Sequence, residues 1–279
     1  FSSSVAQLNL IVGTIFASLL VTGSQTWLYN ADRLSEFPLG LFGVAIGTVI
    51  LPHLSSRHAA GDAEGYAKAI DWGLRMVLLA GVPAGVGLLM LAEPLASAMF
   101  QHGAFTADDA RMTGLALSAT AIAVPAFMLT KVLLPAFFAR QDTKTPMRAA
   151  VITVFINVAL TAAITTPLWH YGVHGAHAGI ALATALAGVA NAALLWVWLH
   201  REGIYRRQPG WARYLVQVLL AAAAMAVALW GLRAWLGDFT AMPLWPRVGW
   251  VLACVAAGAA VYALALLALG VRPRQVWAH

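Results

Sequence analysis

Residues 149–200 read AAVITVFINVALTAAITTPLWHYGVHGAHAGIALATALAGVANAALLWVWLH, fifty-two positions without an Asp, Glu, Lys or Arg. About twenty apolar residues cross the hydrocarbon core of a bilayer as a helix. The stretch is too long for one crossing and is interrupted at Pro167-Leu168-Trp169-His170-Tyr171-Gly172, so it predicts two helices joined by a turn. Working outward, charge is also missing from 1–31, 37–56, 76–92, 112–130, 214–232 and 248–271. Breaks at Pro, Gly and charge place spans at 4–22, 26–51, 70–92, 110–137, 147–167, 175–199, 212–234 and 247–270. The expected fold is an all-α polytopic membrane protein with about eight transmembrane helices. A composition of 61% hydrophobic and 10% charged residues excludes an ordinary soluble domain, in which about a quarter of residues are charged.

The loops after the second, fourth and sixth spans, with the C-terminal tail, carry twelve of the 17 Lys and Arg; the alternate loops carry only Arg111, Arg233 and Arg247. By the positive-inside rule the twelve face the cytoplasm and the chain ends there. The net charge of +6 is thereby explained without nucleic acid. The single cysteine, Cys254, forms no internal disulfide, and no Cys/His spacing resembles a zinc site, so neither metal nor cofactor is expected. Phe1-Ser2-Ser3-Ser4 lacks a basic segment ahead of an apolar run, so no signal peptide is visible and the protein is expected to begin upstream. Val49-Ile50-Leu51-Pro52 with Arg57 and Val132-Leu133-Leu134-Pro135 with Arg140 share a V-x-L-P-x4-R pattern, weak support for a duplicated helical unit.

The strongest chemical signal is Tyr29-Asn30-Ala31-Asp32-Arg33-Leu34-Ser35-Glu36-Phe37-Pro38. Helical spacing puts Asp32, Arg33 and Glu36 near one face. Charges inside a span face a bundle interior or a watery cavity and mark a functional site. Arg33 suits a phosphate or pyrophosphate, because its planar guanidinium offers paired donors and stays charged. The plainer alternative is a self-neutralising salt bridge that shapes the interface. Ser24, Gln25 and Thr26 lie one to two turns earlier and either bond a polar headgroup or cap the helix. Lys131 is a secondary candidate that equally suits snorkelling to headgroups. Asn157 and Thr161 fit a helix–helix hydrogen bond better than a cation site, and His170, His174 and His177 read as solvated loop residues. Neither a nucleophile elbow, a P-loop nor paired carboxylates appear, so no catalytic residue is expected.

At Ala31-Asp32-Arg33-Leu34, Glu36-Phe37-Pro38-Leu39-Gly40 and Gly43 to Pro52 the chain resembles the MurJ/MviN family of bacterial lipid II flippases. Lys131-Val132-Leu133 and Pro135 to Pro146 are similar to that family too, as are Ile15-Phe16-Ala17-Ser18 and Gln208-Pro209-Gly210-Trp211. The resemblance covers essentially the whole chain. It implies a fourteen-helix exporter of the multidrug/oligosaccharidyl-lipid/polysaccharide superfamily, of which this chain is the C-terminal half. Residues 1–200 would be the C-terminal six-helix lobe, and 201–279 two added helices bordering a lipid-tail groove. It also implies that Arg33 matches a cavity arginine, Glu36 its acidic companion and Thr26 a position where relatives carry Ser. No acidic residue stands near Gly13, where some relatives have one; this weighs against sodium coupling and leaves membrane potential or protons.

The resemblance thus implies movement of undecaprenyl-pyrophosphate-linked peptidoglycan precursor across the bacterial cytoplasmic membrane by alternating access. The missing lobe would leave this half unable to act alone. Arg33, Glu36, Asp32 and Thr26 would form the substrate site. Lipid II, membrane lipids and cell-wall synthesis proteins are the expected partners. The alternatives are an exporter of another lipid-linked oligosaccharide or a drug, a non-transporting scaffold, and a glycosyltransferase using Glu93, Asp108, Asp109 or Asp238.

Overall fold

The computed structural model describes residues 11, 13–205 and 208–271. Its elements in order are α1 (Ser24–Pro38), a π-helical turn (Leu39–Val44), α2 (Ala45–Ala59), α3 (Ala63–Met90), α4 (Ala92–Phe100), α5 (Ala107–Ala121) and α6 (Val124–Phe138). There follow α7 (Lys144–His170), α8 (His177–Arg201), α9 (Trp211–Leu236), a 3-10 turn (Phe239–Ala241) and α10 (Leu244–Ala268). The helices α3, α7, α8, α9 and α10 are each long and apolar enough to cross a membrane. The pairs α1–α2 and α5–α6, bent by 40° and 45°, are together long and apolar enough for one span each, giving up to seven spans among the described residues. The expected second to eighth spans are therefore present, whereas the expected first, at 4–22, lies largely outside the described residues.

Boundaries shift where caps override charge. The second span runs on to Ala59 with Pro52 inside it, and α3 begins at Ala63 instead of at 70. Asp62 starts α3 by accepting from the Gly65 backbone N–H at 2.8 Å. That bond, and then the Arg57 guanidinium, hold the Asp62 carboxyl below the usual carboxylate range. Opening charges such as Glu64 and Lys68 simply pair along the helix surface, at 2.7 Å. The short α4 has no counterpart among the expected spans. At the α5–α6 bend, Pro125 occupies the first turn of the new helix, where its missing N–H matters least.

The prolines inside the spans position neighbouring helices. A proline in a helix leaves the carbonyl four residues earlier without its usual donor, and in lipid that carbonyl needs another. Pro83 frees Leu79 O, which accepts from Tyr262 Oη of α10 at 2.9 Å. Met90 O, the last carbonyl of α3, is open because the helix ends there, and it accepts from Arg233 Nη1 of α9 at 2.7 Å. Ala121 O, the last carbonyl of α5, faces Gly85; a Cβ there would stand 2.9 Å from that oxygen. Pro135 frees Lys131 O, which faces Gly47 in the same way at 3.7 Å. We expect Tyr262→Phe to destabilise the protein by about 1 kcal/mol. Pro83→Ala should remove most of that penalty, because residue 83 then supplies the missing N–H. Thermal unfolding of the two single variants and the double variant in detergent measures this, and additive effects would refute it.

The central element is α3, whose Ile70, Leu74 and Val77 are fully buried against α6 and its Met128, Val132 and Leu133. The hairpin α9–α10 is pinned to the preceding helices at both ends. At the end with the cation-rich loops, Tyr205 Oη and Trp211 Nε1 donate to Asp71 Oδ1, and Arg75 Nε donates to Asp71 Oδ2 at 2.7 Å. Burial, and then the bond to Asp71, raise the Tyr205 phenol above its ordinary value. Tyr214 Oη reaches the Arg75 carbonyl. At the other end Arg111 pairs with Asp238 at 3.0 Å and Arg233 with Glu93 at 3.6 Å. There the buried Arg247 donates to the carbonyls of Ser97 and Met242.

Candidate functional site

The site is built on α1. Its buried residues Ser24, Trp27, Ala31, Ser35 and Pro38 recur every three or four positions and face the bundle. Trp27 anchors that face: Nε1 donates to Asp109 Oδ1 at 2.8 Å, and its ring lies 4.9 Å from that of His177. The same period turns Thr26, Tyr29, Asp32, Arg33 and Glu36 to the opposite side, where all five are exposed. No helix of the described chain covers them.

Within this face Arg33 is held by Tyr29, one turn earlier. Its guanidinium donates to the phenol oxygen from Nε at 3.0 Å and Nη2 at 2.5 Å, and Cζ lies 4.9 Å from the ring centroid. Two of five N–H groups are used, and three stay free for an anion. The self-neutralising salt bridge does not form: among the described residues, none of Asp32, Arg33 and Glu36 has an ion-pair partner. A helical side chain leans toward the N-terminus, which carries Arg33 back to Tyr29 and away from Glu36. Tyr29, which the sequence reading passed over, is thus the residue that positions Arg33. An aromatic hydroxyl four residues before an intramembrane arginine was the available signal.

Neither Ser24 nor Thr26 caps the helix. Gly23 occupies the N-cap at φ 105° without a side-chain bond, and Ser24 Oγ donates back to Val21 O at 2.7 Å. Thr26 instead stands on the polar face, and Gln25 Nε2 reaches Thr14 O at 3.5 Å. Lys131, on α6, joins the same helix farther along. Its Cγ lies 3.1 Å from where a Cβ at Gly43 would be, so the stem crosses the bent helix at a residue that only glycine leaves open. Gly43 follows Arg33 by ten residues, about 15 Å of helix. The structure therefore aligns Arg33 and Lys131 along one bent span without bringing them into contact.

Other candidates have structural partners. Thr161 Oγ1 donates to Asn157 Oδ1 at 3.4 Å, and Thr153 Oγ1 to Asn191 Oδ1 at 3.3 Å, in a buried polar stripe between α7 and α8. His170 and His174 are exposed as expected. His177 is not a solvated loop residue: it opens α8, is buried, and its Nε2 pairs with Met112 O at 2.8 Å. The apolar α5–α8 contact and the Trp27 ring carry it inside. Of the carboxylates a glycosyltransferase would need, Glu93 pairs with Arg111, Asp109 closes a capping box with Thr106, and Asp238 caps the 3-10 turn. Only Asp108 stands exposed without such a bond. Among the described residues no group of three or more His, Cys, Asp or Glu is placed to hold a metal.

Long apolar helices and two bent helix pairs define an all-α multi-pass membrane protein, with a charged helix face that has no ion-pair partner among the described residues. Solved structures share this fold. The chain superposes on "Lipid II flippase MurJ, inward closed conformation" with a TM-score of 0.75 and 25% identity, covering 95% of this chain and 51% of that one. It superposes on a MATE protein in complex with MaD3S with a TM-score of 0.60 and 18% identity, covering 96% and 61%; this second likeness concerns the fold alone. The family model described as "Lipid II flippase MurJ" matches residues 1–248. The chain belongs to the MurJ lipid II flippase family. It is 40% identical over 277 residues to the probable lipid II flippase MurJ of Vibrio cholerae, covering 99% of this chain and 51% of the relative. It is 39% identical over 267 residues to the lipid II flippase MurJ of Burkholderia cenocepacia, covering 94% and 50%. The chain thus spans about half the length of the curated relatives it matches.

Proposed function

We propose that this chain forms one half of a lipid II flippase and carries an anion-binding element of its translocation path. The observation that carries the reading is the exposed face of α1, where Tyr29 pre-orients Arg33 and leaves three of its N–H donors free. A pyrophosphate needs several charge-assisted bonds from fixed donors, and an arginine on a water-lined helix face supplies them where the bilayer core cannot. Thr26 adds a hydroxyl to that face. Asp32 and Glu36 do not orient Arg33; they lower the local positive potential, so that the headgroup is held weakly enough to leave. Lys131, farther along the bent span, offers a second cation on the path.

In this reading the polar face of α1 meets the other lobe of the transporter across a hydrated cleft, and rocking of the lobes moves the headgroup while the polyprenyl tail stays in lipid. The lobe over 1–200 holds the cleft, and the hairpin over 201–279 borders the tail. The cation-rich loops and the C-terminus face the cytoplasm of a bacterium and the spans lie in its cytoplasmic membrane. The protein acts as a transporter without a catalytic residue, and cell-wall synthesis proteins are its candidate partners. The MATE-like fold favours a second reading, export of another substrate, but a cationic drug would meet a free guanidinium there.

The test is rescue of cells depleted of their own lipid II flippase by the natural full-length chain that carries this sequence. Rescue with restored appearance of lipid II in the outer leaflet supports the reading. Failure to rescue at normal membrane levels favours the second one.

A further inference from the structure

A second polar site lies at the end of the bundle with the cation-rich loops, remote from α1. A groove of about 440 Å³ opens between α3 and α9 and is lined by Lys68, Trp72, Arg75, Arg213 and Tyr214, with Val271 closing one side. Its volume falls within the range of about 300–1,000 Å³ typical of small-molecule sites. Three cations and the carboxylate of Asp71 line it. That carboxylate is already taken, since it accepts from Tyr205, Trp211 and Arg75.

We propose that this groove binds the phosphodiester headgroup of an anionic glycerophospholipid. Arg75 is the prepared ligand. Its Nε is held by Asp71 at 2.7 Å and its Nη2 by Pro209 O at 3.1 Å, while its guanidinium lies 5.2 Å from the Trp211 ring and 5.5 Å from that of Tyr214. Three N–H donors stay free on a side chain that has already lost its rotational freedom, so binding costs little further ordering. Arg213 is exposed in the first turn of α9 and has no ion-pair partner among the described residues. A cation there opposes the helix dipole, and a bound anion relieves it. Lys68 is tied only to Glu64 in an exposed pair of the weak surface kind.

The position selects a lipid over a free anion. The groove sits where α9 begins and α10 has just ended, the level of the membrane surface, with the rings of Trp72 and Tyr214 in its wall. Basic pockets between membrane helices at this level take anionic headgroups. Trp72, Met76 and Val271 give the glycerol and first acyl carbons an apolar wall. The bound lipid would cross-link α3 to α9, and the assignment uses neither the polar face of α1 nor Lys131.

The experiment is native mass spectrometry of the natural full-length chain titrated with phosphatidylglycerol or phosphatidylcholine. The double variant Lys68→Gln/Arg213→Gln changes only exposed side chains, and its unfolding temperature in phosphatidylcholine should match wild type. Its affinity for phosphatidylglycerol should fall about tenfold or more, while phosphatidylcholine retention stays unchanged. Arg57→Gln, at the same end but outside the groove, should bind phosphatidylglycerol as wild type does. Wild-type affinity in the double variant overturns the proposal. So does displacement of the lipid by inorganic phosphate at a similar concentration, which would make the groove a site for a soluble anion.

Discussion

Arg33→Ala, in the natural full-length chain, should reach the membrane at normal levels and fail to rescue cells depleted of lipid II flippase, with lipid-linked precursor accumulating on the inner leaflet. The side chain is exposed and bonds only to Tyr29, so its removal leaves the bundle's packing intact. The loss falls on the substrate, because a charge-assisted bond removed from the path slows translocation by about tenfold or more. Arg33→Lys should fail as well: an ammonium keeps the charge but loses the planar fork, and it cannot donate twice to Tyr29 while facing a pyrophosphate. Tyr29→Phe should fall between, since it frees the guanidinium without removing it. Full rescue by Arg33→Ala would make the polar face structural and defeat the site assignment.

Arg247→Ala should cost about 3 kcal/mol of stability, the largest single effect expected outside the site. The side chain is 5% exposed. It donates from Nη1 to Ser97 O at 3.1 Å and Gln101 O at 3.4 Å, and from Nη2 to Met242 O and to Thr240 O at 3.4 Å. Alanine takes the donor from the Gln101 and Met242 carbonyls, while Ser97 O keeps the Gln101 N–H and Thr240 O keeps Gln101 Nε2, and it opens a cavity where α4, α10 and the turn between α9 and α10 converge. Arg247→Lys should recover part of the loss, because three rotatable donors reach some of the carbonyls but cannot match the fork. Unfolding temperature in detergent is the readout. An unchanged midpoint for Arg247→Ala would show that water replaces the guanidinium and that the clamp contributes nothing.

The sequence made the spans legible because charge is so costly in lipid that its absence marks them. It could not show where they end, because caps such as Asp62 extend helices through charged surface. Arg33, Asp32, Glu36 and Thr26 were legible as a polar face on the 3.6-residue period. The partner of Arg33 was not, because the lean of a helical side chain decides between Tyr29 and Glu36 and spacing alone does not. Arg247 was counted with the loop cations, and nothing in its neighbours announces four backbone acceptors. His177 was misread for the same reason: its burial depends on Trp27, distant in the chain. The groove around Arg75 joins residues from α3, α9 and the end of α10, a proximity no local pattern encodes.

The two open carbonyls of α3 also bear on how the molecule is put together. A chain threading into the membrane in order delivers α3 and α4 before α9 and α10, with the carbonyls of Leu79 and Met90 still lacking donors. Each is an unmet polar group, costly wherever water cannot reach it. Tyr262 and Arg233 arrive last and meet them. The final hairpin is therefore the clasp of the assembly, drawn to its seat by the open carbonyls that the earlier helix leaves behind.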